Sequence, residues 1–104
     1  MKLSMGDLFK KLGKLGANEL VLDVREPDEF RSGHVPGSRN IPLSQVAEHL
    51  DELRKYERVY IHCQRGGRAG KAADRLGQLG LKNIVCVGDS GMADWIAAGY
   101  PVER

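Results

Sequence analysis

RVYIHCQRGGRA, residues 58–69, changes character at its centre. Val59, Tyr60 and Ile61 are β-branched or aromatic and suit a buried strand. After Arg68, the residues Ala69, Ala72, Ala73, Leu76 and Leu79 recur at helical spacing. Cys63 therefore stands where a strand hands over to a helix, with Gln64, Arg65, Gly66 and Gly67 as the connecting loop. The first turn of a helix offers unpaired N–H groups and the positive end of its dipole, so an anionic sulfur or adduct is stabilised there.

Working outward, Ser4 and Asp7 have the spacing of a capping box, and Met5, Leu8, Phe9, Leu12 and Leu15 continue a short helix to Gly16. Leu20 to Val24 reads as a buried strand, and Glu26-Pro27-Asp28 opens another helical turn through Phe30. Gly33, Pro36, Gly37 and Pro42 make the next stretch mostly loop, with space for a short strand around Arg39 to Ile41. Ser44 is placed to cap a helix presenting Val46, Leu50 and Leu53. The helix after the cysteine loop is expected to end near Gly80, followed by a strand at Asn83 to Val87 and a turn at Gly88, Asp89, Ser90 and Gly91. Met92, Trp95 and Ile96 suggest a last helix, stopped by Gly99 and Pro101. This alternation predicts an α/β fold with a mainly parallel sheet and helices on both faces. Sites in such sheets collect at the carboxyl ends of strands. Cys63, Val24 to Glu26, and Gly88 to Gly91 all lie at such ends. With no internal repeat or linker, residues 1–104 are expected to form one domain.

Sixteen Lys and Arg against fourteen Asp and Glu leave a formal charge of +2, too balanced for nucleic-acid binding by bulk electrostatics. Any anion site must be local. No apolar run approaches the roughly 20 residues of a membrane span, and lysines interrupt the stretch where a signal peptide needs an apolar core. Neither a nucleic acid nor a membrane is expected as partner, and a reducing, cytoplasmic location fits the two cysteines, Cys63 and Cys86. His34, His49 and His62 are scattered and no Cys-x-x-Cys occurs, so neither a structural zinc nor any other cofactor is expected.

Three blocks carry a resemblance: LVLDVREPDEFRSGHVPGSRNIPL at 20–43, the HCQRGGRAG loop, and GMADWIAAGYPV at 91–102. In that order and spacing the chain resembles the single-domain members of the rhodanese family of sulfurtransferases. The resemblance implies that Cys63 accepts a sulfane sulfur from thiosulfate or a similar donor, carries it as a persulfide and passes it to cyanide or a thiol. It also implies that Gln64, Arg65, Gly66, Gly67 and Arg68 cradle the anion. Backbone N–H groups would form the nest and the two arginines would grip the donor. Both glycines are expected to supply the positive φ that such a curl requires.

The tyrosine phosphatases and arsenate reductases of related architecture separate their cysteine and arginine by five residues, whereas four separate Cys63 from Arg68. The tighter cradle favours sulfur over a tetrahedral phosphate. Ala69 and Ser90 depart from the family pattern, which often has a hydroxyl residue at the first position and commonly glycine at the second. The alternative reading is a persulfide relay or regulatory module acting on a sulfur-accepting protein.

The remaining candidates receive structural roles. Asp23 and Arg25, beside Glu26, are expected to fix loops at the sheet edge by charge-assisted hydrogen bonds, with Arg25 also near the pocket. His34 is expected to hydrogen-bond backbone in its loop. Trp95 should pack the last helix on the core, and Cys86 should behave as a buried hydrophobe, its sharper alternative being a resolving thiol. Lys10, Lys11 and Lys14 should form a solvated helix face.

Overall fold

A computed structural model describes residues 3–88 and 90–104, so Asp89 in the expected turn lies outside the described residues. The elements run α1 (Met5–Leu12), β1 (Glu19–Asp23), α2 (Pro27–Ser32), β2 (Arg39–Asn40), a 3-10 helix (Leu43–His49), α3 (Leu50–Arg54), β3 (Arg58–His62), α4 (Gly67–Gln78), β4 (Ile84–Cys86) and α5 (Met92–Ala97). Among the described residues the strands form one sheet, ordered β2-β1-β3-β4, in which every pairing is parallel.

Strand periodicity sorts the side chains. Leu20, Leu22, Val59, Ile61 and Cys63 face the 3-10 helix, α3 and α4, where they pack with Val46, Leu53, Ala69, Ala72 and Leu76. Val21 and Tyr60 face the other way and join Met5, Leu8, Met92 and Trp95. Helices thus cover both faces, as a parallel sheet requires. Trp95 is fully buried and donates its indole N–H to Pro101 O at 2.8 Å.

The capping box of α1 forms, with Ser4 Oγ accepting Asp7 N–H and the Asp7 carboxylate accepting Ser4 N–H, both at 3.1 Å. The helix stops at Leu12, short of Gly16, in a turn closed by Lys14 N–H to Lys11 O at 2.8 Å. Ser44 caps nothing. Pro42 sets the turn two residues earlier, with Gln45 N–H donating to Pro42 O at 2.8 Å, so the segment winds as a 3-10 helix before α3. Val46 and Leu53 are nevertheless buried. Strand β4 is shorter than expected, Ile84–Cys86, and before it the Asn83 side-chain amide donates to Leu53 O and Tyr56 O, at 2.9 and 2.8 Å. On this edge strand Cys86 is half-buried at the core margin, less enclosed than the sequence suggests.

The connections decide where a crevice opens. After β1 the chain moves to β2 on one side, and after β3 it moves to β4 on the other. The carboxyl ends of β1 and β3 therefore form the topological switch point, the place where open α/β sheets bind ligands.

Candidate active site

Cys63 directly follows β3 at this switch point, with its side chain 1% exposed. Its Sγ accepts N–H groups from Gly66 at 3.0 Å and Ala69 at 3.3 Å. Two amides at the start of α4 thus converge on one sulfur, an arrangement that suits negative charge there. Ala69 lacks the hydroxyl of the family pattern, yet its backbone is part of the cradle.

Gly66 makes the curl possible. It has φ 110°, and a Cβ on it would meet Gly88 O at 2.1 Å. Gly67 differs from the expectation: it begins α4 without positive φ, and a Cβ there would meet open space. Only the first glycine of the pair is required by the backbone.

The other side of the loop rests on α5. Met92 N–H donates to Cys63 O at 2.8 Å and Ala93 N–H to Gln64 O at 3.3 Å. Carbonyls therefore face α5 while amides face the sulfur. Gly91 permits the approach, since a Cβ there would lie 2.3 Å from Gln64 O and 2.5 Å from Cys63 O. Beside it, Ser90 Oγ accepts Met5 N–H at 2.8 Å and so ties α1 to the loop before α5.

Beneath lies a buried polar cluster. The Arg25 Nε and Nη2 donate to the Asp23 carboxylate at 2.8–3.0 Å, Nη2 also reaches Gly33 O at 2.8 Å, and Nη1 reaches Gln64 Oε1 at 3.1 Å. Both charged residues are enclosed, at 0% and 3% exposure for Asp23 and Arg25. The Asn40 side chain donates to Asp23 O and Arg25 O, at 3.0 and 2.8 Å, and holds this turn. Arg25 thus joins the β1 loop to the cysteine loop. His62 is also fully buried, with Nδ1 3.5 Å from Cys63 O and Nε2 3.9 Å from the Asp23 carboxylate. Burial pushes its imidazole below the ordinary range, against the opposing pull of Asp23. His34 binds backbone, Nδ1 to Phe30 O at 2.9 Å, and stacks on the Phe30 ring.

The sequence reading gives Arg68 to an anionic donor; in the fold it faces Glu29. Its two terminal nitrogens donate to the Glu29 carboxylate at 2.6 and 2.9 Å. This fork holds the Glu29 carboxyl down at about 2, and Glu29 also accepts Glu26 N–H at 3.0 Å. Cys63, Gln64, Arg65, Gly67, Arg68 and Lys71 line a cavity of about 380 Å³. Among the described residues, no group of three His, Cys, Asp or Glu side chains is placed to hold a metal ion.

Glu29, Lys71 and Gly91 are absent from the sequence-based site. Lys71 was legible, because it stands one helical turn after Arg68. Glu29 and Gly91 reach the loop only through tertiary packing.

The model of the rhodanese-like domain matches residues 6–98. This chain belongs to the rhodanese-like domain family. Among relatives of this rhodanese-like chain, the uncharacterized protein YqhL of Bacillus subtilis (strain 168) is 47% identical over 64 residues, covering 62% of this chain and 51% of that protein. The chain thus spans about half the length of YqhL. Thiosulfate sulfurtransferase 16, chloroplastic, of Arabidopsis thaliana is 32% identical over 105 residues, covering 84% of this chain and 82% of its own. The crystal structure of a rhodanese-related protein from Thermoplasma volcanium superposes with a TM-score of 0.82 at 38% identity, covering 98% of this chain and 96% of that one. No helix among the described residues of this rhodanese-like chain is long and apolar enough to cross a membrane.

Proposed function

We propose that the protein is a thiosulfate-type sulfurtransferase of the cytoplasm in which Cys63 carries sulfur as a persulfide. The observation that carries the reading is the pair of amides, Gly66 and Ala69, aimed at Sγ on the floor of a cavity lined by Arg65, Arg68 and Lys71. The Cys63 thiolate attacks the outer sulfur of thiosulfate and a sulfur–sulfur bond forms. The bond to the sulfonate breaks, and its electron pair leaves with sulfite. Cyanide, or a thiol acceptor, then attacks the outer persulfide sulfur and returns Cys63 to the thiolate. The loop amides hold anionic sulfur at the helix start in both steps.

Incubation with thiosulfate should add one sulfur to the intact protein, and cyanide should remove it. Cys63→Ser should neither gain that mass nor turn over, because an alcohol forms no persulfide. An unshifted mass in native protein with Cys63 demonstrably reduced overturns the proposal, as does aryl-phosphate turnover exceeding sulfur transfer.

A second reading, delivery of the sulfur to a protein thiol, draws support from one feature. Ile96 is 55% exposed and, with Arg25, Glu29, Ser32, Gly33 and Gln64, lines a depression of about 330 Å³ beside the cysteine loop. Ile96→Glu should slow discharge to a protein acceptor while leaving discharge to cyanide intact. Equal effects on both acceptors refute this reading.

A further inference from the structure

Building on the sulfur-transfer reading, we infer that Lys71, together with Arg65, is the cation that draws the anionic sulfur donor into the pocket, while Arg68 serves as a strut. The sequence invites the opposite assignment, since Arg68 closes the loop. In the fold, however, both terminal nitrogens of Arg68 donate to the Glu29 carboxylate. A donor that recruited Arg68 would have to break a two-point charged fork and leave Glu29 without its partner. The Glu29 carboxylate paired with it offsets the Arg68 charge.

Lys71 has the complementary properties. It lines the same cavity as Cys63 Sγ, three residues along α4 from Arg68 and therefore on the same helix face. It is exposed, as is Arg65. Among the described residues, neither forms a salt bridge with a carboxylate. The ammonium is a compact charge on a flexible four-carbon stem. It can follow the donor's sulfonate end inward and release it once the sulfur–sulfur bond has broken and sulfite departs. A rigid guanidinium already held by Glu29 cannot.

The donor should then be selected by charge. Thiosulfate carries two negative charges, and an aryl thiosulfonate presents the same outer sulfur on a monoanion, leaving as the arylsulfinate. Loading of Cys63 is followed by quenched-flow intact mass at low donor concentration. Lys71→Met should slow loading from thiosulfate by roughly fivefold and from the aryl thiosulfonate by roughly twofold, because the lost attraction scales with donor charge and the site is open to solvent. Lys71→Arg should restore most of the rate. Raising the salt concentration should narrow the difference between native protein and Lys71→Met.

Two results overturn the inference: a Lys71→Met protein that loads thiosulfate at the native rate, or equal slowing for both donors. A native protein that gains no sulfur from either donor overturns the sulfur-transfer reading and this inference together. Native loading with an unaffected Lys71→Met overturns the inference alone.

Discussion

Gly91→Ala tests the contact between α5 and the cysteine loop. Gly91 has an extended backbone, φ −160° and ψ −161°, which any residue adopts, so alanine introduces no dihedral strain. The effect is steric. The new Cβ would lie 2.3 Å from Gln64 O, 2.4 Å from its carbonyl carbon and 2.5 Å from Cys63 O. Carbon–oxygen contacts settle near 3.3 Å, so the loop or the start of α5 must retreat by about 1 Å. The partners are backbone on both sides and cannot rotate away. The retreat weakens the hydrogen bonds from Met92 N–H to Cys63 O and from Ala93 N–H to Gln64 O. Overpacking and two weakened hydrogen bonds together destabilise by about 3 kcal/mol, a fall in Tm of about 15 °C for a domain of this size. A shift of about 1 Å at the nucleophile should slow Cys63 loading by about a hundredfold. Calorimetry and thiosulfate loading followed by intact mass provide the two readouts. A Gly91→Ala protein that melts within about 3 °C of native refutes the packing argument. A large fall in Tm with native loading of the folded protein refutes the claim that this contact positions Cys63.

Other perturbations separate charge from packing. Asp23→Asn leaves the buried Arg25 without its carboxylate and should destabilise by about 3 kcal/mol in urea unfolding; a change below about 1 kcal/mol would contradict a load-carrying pair. Glu29→Gln should remove about 1 kcal/mol at pH 7, a figure discounted because the Glu29 side chain is 33% exposed. Glu29 is depressed from 4.5 to about 2, so its contribution is complete above about 4.5 and fades as pH falls through about 2. Native and Glu29→Gln stabilities should therefore converge on acidification, and a constant gap would refute the ion-pair account. His62, buried and shifted down from 6.5, must gain a proton more readily unfolded than folded, so its stabilising effect is present above 6.5 and is lost as pH falls. His62→Gln should flatten the stability profile between about pH 7 and pH 5; an unchanged slope would place the acid sensitivity in other groups.

The legible parts of this protein are those that depend on near neighbours in the chain. Val59 to Cys63 and Ala69 to Leu76 declare a strand and a helix by their periodicity, so the position of Cys63 at the junction could be read directly. Ser4 and Asp7 likewise announced the start of α1. The 3-10 helix after Pro42 escaped because Ser44 offered a plausible cap, and the competition between them is settled by packing of Val46 and Leu53 against the sheet.

The candidate site divides in the same way. Cys63, Gln64, Arg65 and the positive φ of Gly66 belong to one short loop, whose demands are written in consecutive residues. Tertiary structure alone decided which cation stays unpaired at the mouth and which surface supports the loop from behind. Glu29 meets Arg68 because β1 and β3 lie side by side at the switch point, thirty-nine residues apart in the chain. Gly91 meets Gln64 because α5 folds back across the sheet. Local sequence specifies local dihedrals and periodicity, but pairing of distant charges and sub-van der Waals tolerances are properties of the assembled sheet.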